Sequence, residues 1–340
     1  MSDFKPRCGC TGIGSVPHRH YKRVIDDILR DFDFPYWPQL FNRGFVENMY
    51  VQFSERMPSL NIDFEDEKLF FNTQDDFNLQ GFYERVVNED YDYFKISKNH
   101  AQGFYEFIKK AKGSGCIKGH TTGPISFSLA VLDQDRKPIL YDQQFFEAVV
   151  SCLNMKARWQ VRNLKEVSKD VIMFFDEPYM QSYGSAYISL DRDTVLWALN
   201  EVIDSAKKEG AIVGVHCCGN TDWGLIMETN TDIVSFDAYN FSDRLSLYSK
   251  EVKRFLEEGS LAWGIVPTSN DIINEDEESL VNKLEYKIQE LVNKGIDKEL
   301  ILEKAIITPS CGAGSLYNKA ADKVLNTASK VSKKMKEKYF

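Results

Sequence analysis

Residues Ala211–Cys218, AIVGVHCC, run into Gly219-Asn220 and decide how the chain is built. A short apolar, β-branched run bounded by turn chemistry reads as a buried strand. Alternate side chains of a strand share a face, so His216 and Cys218 point one way and Cys217 the other. An H-x-C pair at a strand end is half of a tetrahedral zinc site. The other half is expected from Ile306–Gly314, IITPSCGAG, where a second β-branched run ends in Cys311 and a glycine-rich turn. Two strand ends far apart in sequence are thus predicted to meet around a metal.

Outward from that stretch, the pattern repeats. Strand-like runs occur at Cys116–Gly119, Val171–Phe175, Ile233–Phe236, Leu261–Val266 and Ala305–Thr308, with a further one at Thr11–Ser15. Amphipathic segments lie between them at Phe145–Val167, Asp193–Glu209, Leu245–Glu258 and Glu277–Lys294. Strands alternating with such helices imply βαβ units and a parallel sheet. With Ala211–Val215 this makes seven strands, one short of a (β/α)₈ TIM barrel. The eighth is expected in the irregular region 45–110 or elsewhere. Phe34–Phe41, FPYWPQLF, reads as a proline-broken aromatic loop. The expected fold is an α/β (β/α)₈ barrel, one domain over 1–340, with an irregular insertion at about 35–112; an open doubly wound sheet is the alternative.

The totals limit the partners. The 340 residues are 43% hydrophobic and 27% charged, ordinary for a globular protein, with a net charge of −9. That balance argues against nucleic acid and anionic membrane as partners. No apolar run approaches the roughly 20 residues that span a bilayer, and MSDFKPRCGC has no apolar stretch for a signal peptide. Seven cysteines, an odd number outside any short secreted framework, imply a reducing cytoplasm. Cys8-x-Cys10 with His18-x-His20 reads as exposed polar residues beside a turn.

Each strand ends in a chemically useful group: Ser15, His120, Asp176-Glu177, His216/Cys218, Asp237, Thr268-Ser269-Asn270 and Cys311. On a barrel these ends converge on the C-terminal face, where active sites sit. His216, Cys218 and Cys311 are the expected metal ligands, with Asp237 as a fourth. Such a site leaves room for an exchangeable ligand, and a substrate thiol bound there loses its proton at neutral pH. Of Asp176 and Glu177 only one can face the site, where a carboxylate would hold a substrate ammonium group. His120 is a base or a polar anchor.

Together, GSVP at Gly14–Pro17, TGP at Thr122–Pro124, DEP at Asp176–Pro178, HCC at His216–Cys218, DIVSFD at Asp232–Asp237 and SCG at Ser310–Gly312 resemble a known superfamily. It comprises cobalamin-independent methionine synthases, uroporphyrinogen decarboxylases and corrinoid:thiol methyltransferases. The resemblance implies a zinc site of His216, Cys218 and Cys311, with Asp237 where the family places a glutamate. It implies that Asp176 binds an amino acid's ammonium group. Ser269 or Asn270 stands where the synthases carry a catalytic histidine, and the chain has no room for their second barrel. Both departures point from methyltetrahydrofolate towards methylcobalamin or a corrinoid protein as methyl donor.

The expected activity is zinc-dependent methyl transfer to a thiol, homocysteine first among candidates, with Ser15, Glu177, Ser269 and Asn270 lining the substrate pocket. The alternatives are another thiol acceptor such as a coenzyme, a decarboxylase-like barrel, and a non-enzymatic zinc or corrinoid binder. The decarboxylase reading is disfavoured because Arg7, Arg19 and Arg23 form no clear cluster for tetrapyrrole acids.

Overall fold

A computed structural model describes residues 4–75, 77–186 and 188–340. Seven strands form one curled parallel sheet: β1 (Gly9–Cys10), β2 (Ser114–Thr122), β3 (Ser168–Asp176), β4 (Ile212–Cys217), β5 (Ile233–Phe236), β6 (Ser260–Val266) and β7 (Ala305–Pro309). Its spatial order is β1-β7-β6-β5-β4-β3-β2, so β1 and β2 are the two edges. Helices Gln143–Lys165, Arg192–Lys208 and Glu277–Val292 match the amphipathic periods, and Asn318–Tyr339 closes the chain. Arg192–Lys208 ends at Gly210, whose φ of 79° is the left-handed conformation that glycine adopts without strain.

The missing stave is the proline-broken aromatic segment. Phe34 N–H donates to Cys10 O at 3.0 Å on one edge, and Lys118 N–H donates to Pro35 O at 2.7 Å on the other. Trp37 N–H reaches Lys118 O at 3.4 Å, and Gln39 N–H reaches Gly14 O at 3.1 Å. Gln39–Leu40 then pairs in parallel with Ser15–Val16. Residues 34–40 therefore bridge both edges of the sheet and belong to the barrel. Pro35 and Pro38 have no N–H to give, so only a thin ladder forms, and no periodic strand signature survives.

The insertion accordingly starts after Leu40. It holds a hairpin, Leu60–Asp63 against Lys68–Phe71, and the helix Gln102–Lys110. The first stave also begins earlier than Thr11–Ser15, since Gly9 and Cys10 pair with Ile306 and Ile307. Cys8 and Cys10 are consequently buried beside the last helix, where Ser332 donates to Cys8 O, and are not exposed polar residues.

Strand parity sorts the core into two layers. Ile172, Phe174, Ile233, Ala262 and Ile306 pack together inside the barrel. Val171, Met173 and Phe175 point outward into the larger core beneath the helices. The inner layer plugs the barrel from below, so polar groups further along each strand are delivered to its C-terminal mouth. Among the described residues no helix is long and apolar enough to cross a membrane.

Candidate functional site

In β4 the inward parity that places Gly214 inside continues to His216 and then to Cys218, one residue past the strand end. Cys217 faces away, is buried, and leans on Gly219 O. Cys311 lies two residues beyond β7. Its turn is fastened from both sides. Ser310 N–H donates to Val266 O at 2.8 Å, and Thr268 N–H donates to Ser310 Oγ at 3.1 Å. On the other flank, Ala313 N–H donates to Ser15 O at 2.9 Å and Gly314 N–H to Ser15 Oγ at 3.1 Å. A Cβ on Gly312 would fall 2.2 Å from Ser15 Oγ, so that close approach requires glycine.

These constraints bring one ligand atom each from His216, Cys218 and Cys311 within 4.8 Å of one another. The His216 ring is oriented by a 3.0 Å hydrogen bond between Nδ1 and Ser235 Oγ on β5. Its Nε2 is buried and has no hydrogen-bond partner. One imidazole nitrogen and two sulfurs, with the histidine steered by an outer partner, suit zinc, and three protein donors leave a fourth position open. The two thiols are coupled to each other. The Cys311 hydrogen bond holds Cys218 well below the usual thiol range, and the same contact pushes Cys311 up. One thiolate therefore stands ready for a cation.

Asp176 is the register partner of His216 across β3 and β4, on the same inward face. Its Oδ1 is buried without a partner. Burial raises its carboxyl to about 6, against the pull of His216 and Lys118. Glu177 turns the other way. Its carboxylate accepts from Ile125 N at 3.0 Å and Ser126 N at 2.7 Å, capping the first turn of Pro124–Ala130. A Cβ on Gly123 would sit 2.1 Å from Glu177 Oε1. Glu177 thus braces the TGP turn and is not aimed at His216, Cys218 and Cys311.

Other expected site residues are also placed elsewhere. Asp237 caps the helix Ala238–Leu245, accepting from Asn240 N at 2.9 Å and from Asn240 Nδ2 at 2.7 Å. Both carboxylate oxygens are thereby engaged, and it is not one of the clustered donors. Ser269 and Asn270 are exposed in a surface turn, with Ser269 Oγ on Asp271. From that loop it is Thr268 that reaches the site, through Ser310. Ser15 fastens the Cys311 turn.

His120 is fully buried, stacked on Trp37 at 4.0 Å and 17°, with both ring nitrogens unpartnered. Burial, reinforced by Lys118, holds its pKa far down, so the ring is neutral. Two residues back, Lys118 is also completely buried and shares the inward face. The sequence reading missed it, although a lysine spaced two from His120 in an apolar strand carried that signal. Tyr50, from the insertion, was missed as well. It packs edge-on to Phe127 and lies within electrostatic reach of Cys218, Glu177 and Tyr179. Nothing local in the sequence marks it, because only the fold brings the insertion over the mouth.

No protein-family model matches the sequence, and neither does any curated protein. Solved structures do match. A B12-independent methionine synthase from a Shewanella species, in complex with selenomethionine, aligns at 17% identity and a TM-score of 0.48 over 68% of this chain. That alignment spans 65% of the Shewanella chain, just under two thirds of its length. A Listeria monocytogenes structure assigned as a vitamin-B12-independent methionine synthase aligns at 13% identity and a TM-score of 0.52. It covers 94% of this chain and 86% of the other. At such identity the likeness concerns the barrel fold.

Proposed function

We propose that the chain is a zinc-dependent methyltransferase that methylates a thiol, with homocysteine as acceptor and methylcobalamin or a corrinoid protein as donor. The observation that carries this reading is the meeting of His216, Cys218 and Cys311 at the barrel mouth, with Asp176 in register beside His216. A zinc ion held by those donors supplies Lewis acidity that makes an incoming thiol a thiolate nucleophile at neutral pH.

The remaining work falls to the chain's own groups. Ser235 keeps the His216 ring turned so that Nε2 faces the sulfurs. Ser15 and Thr268 hold the Cys311 turn from opposite sides. Asp176 offers an unpartnered carboxylate oxygen to the acceptor's ammonium group, one strand away from the metal position. The inner apolar layer closes the site from below, which leaves the mouth as the route by which a donor reaches the thiol. Holding acceptor and donor in line supplies the orientation that a direct displacement needs.

The test is metal content beside methyl transfer. About one zinc per chain, lost in Cys311→Ser, together with methionine formed from homocysteine and methylcobalamin, is the expected result. Protein purified without chelators that contains no zinc would refute the reading. Zinc-loaded protein that methylates no thiol from methylcobalamin or methyltetrahydrofolate would replace it with a binding role.

A further inference from the structure

An ammonium group is no nucleophile, and a lysine becomes one only where its surroundings favour the neutral amine. Burial lowers Lys118, Lys156 and Lys287 below the ordinary ammonium range. Lys118 and Lys156 are sealed at 0% exposure. Lys287 is half-buried and lines a cavity of about 510 Å³ with Tyr239, Asn282, Lys283 and Tyr286. Of the three, it is the one that a molecule arriving from solvent can meet.

The contacts of Lys287 fit a neutral amine better than an ammonium. Its Nζ donates to Ser242 Oγ at 2.7 Å and to Tyr239 O at 3.4 Å. Two acceptors match the two N–H bonds of the neutral amine, whereas an ammonium brings three. In the neutral form a lone pair takes the remaining position on a side chain that lines the cavity. The charges facing it are Glu290 and Lys283 on its own helix, Glu277–Val292, with Asp237 and Asp243 from the cap and body of the helix Ala238–Leu245. None of these carboxylates pairs with it among the described residues. Lys283 is the contrast, because it is paired with Glu275.

The cavity walls suit an uncharged acyl group. Tyr239 presents a ring held in place by a 2.8 Å hydrogen bond from its hydroxyl to Glu275. Tyr286 adds a second ring and is 69% exposed, so the cavity stays open on that side. The side chains of Asn282 and Tyr286 hydrogen-bond to nothing among the described residues. The Asn282 amide is therefore available to donate to a carbonyl oxygen.

We propose that Lys287 is an acylation site, whose ε-amine accepts an acyl group from a small acyl thioester seated in this cavity. The amine lone pair attacks the thioester carbonyl, the C–N bond forms and the C–S bond breaks. The proton shed by nitrogen leaves with the departing thiolate, which is released as a thiol. The resulting amide keeps a single N–H, so one of the contacts to Ser242 and Tyr239 is given up. Acylation thus removes a tie to the helix Ala238–Leu245, whose cap Asp237 lies two residues beyond Ser235, the partner of His216. The site is independent of the methyl-transfer reading.

The experiment incubates the full chain near neutral pH with N,S-diacetylcysteamine, an uncharged acetyl thioester, and follows each lysine by peptide mass mapping. Lys287 is expected to be acetylated severalfold faster than the exposed Lys112 and Lys250. Its rate should saturate with thioester concentration while those of the two references rise linearly, because only Lys287 has a cavity that binds the donor. Asn282→Ala and Tyr286→Ala, both at exposed positions, should lower the Lys287 rate towards that of the references. A Lys287 rate no faster than the references, a rate strictly proportional to thioester concentration, or one unchanged in both variants would overturn the site.

Discussion

Removing one sulfur from the metal cluster should uncouple the protein's thermal stability from zinc. A ligand that binds only the folded state stabilises it by RT ln(1 + [L]/Kd), about 4.1 kcal/mol at a thousandfold excess over Kd. Unfolding entropy is about 2.1 cal/mol/K per residue, so 340 residues give roughly 0.7 kcal/mol/K. Zinc at that excess should therefore raise Tm by about 6 °C. Cys311→Ser removes one of three donors while the Ser15 and Thr268 contacts that hold the turn remain, so the shift should shrink to within a degree. The assay is calorimetry of chelator-treated protein with and without zinc, wild type beside variant. An unshifted wild type, or an equal shift in Cys311→Ser, would refute the cluster as a metal site. The shift should also grow with pH, because metal binding displaces protons from the cysteine ligands.

Further outcomes follow from individual contacts. Asp176→Ala should weaken homocysteine binding by about 10-fold to 150-fold, the range for losing a hydrogen bond to a charged group, and leave an amine-free thiol unaffected in the same titration. Gly123→Ala forces a Cβ to within 2.1 Å of Glu177 Oε1; the overpacking should cost about 1–3 kcal/mol by urea denaturation. Burial pushes Glu177 up to about 7, against its hydrogen bonds to Ser126 and Ile125. A carboxyl with a raised native pKa contributes stability below its unfolded value, near 4.5, and loses it as pH rises through 7. Glu177→Gln should remove that downward slope between pH 4.5 and 7, and an unchanged slope would contradict the assignment. Trp37→Ala, which strips the stacked partner from His120 and the hydrogen bond to Gln160, should cost about 3–5 kcal/mol.

Much of the fold follows from local chemistry. Val171–Phe175, Ala211–Val215, Leu261–Val266 and Ala305–Thr308 announce themselves as apolar runs with β-branched residues that meet glycine or proline within four residues, and parity alone puts His216 and Cys218 on one face with Cys217 opposite. The clustering of His216, Cys218 and Cys311 was legible for the same reason: each sits within two residues of a strand end, where the alternation still governs direction. Lys118 was equally readable, being one of the inward positions of β2.

Tertiary structure decided the rest. The eighth stave, 34–40, is held by hydrogen bonds from Phe34, Trp37 and Gln39 and by one accepted from Lys118, all to residues distant in sequence, while its prolines erase any local pattern. Just past a strand end, parity sets only the starting direction, and an unsatisfied helix N–H close by can capture a carboxylate. That competition turned Glu177 to Ser126 and Asp237 to Asn240, and left Asp176 free beside His216. Ser269 and Asn270 lie exposed, with Ser269 Oγ donating to the neighbouring Asp271 carboxylate. The sequence by itself determined which residues could serve a site; which of them remained unpartnered and inward was decided only when the barrel closed and every nearer hydrogen bond was taken.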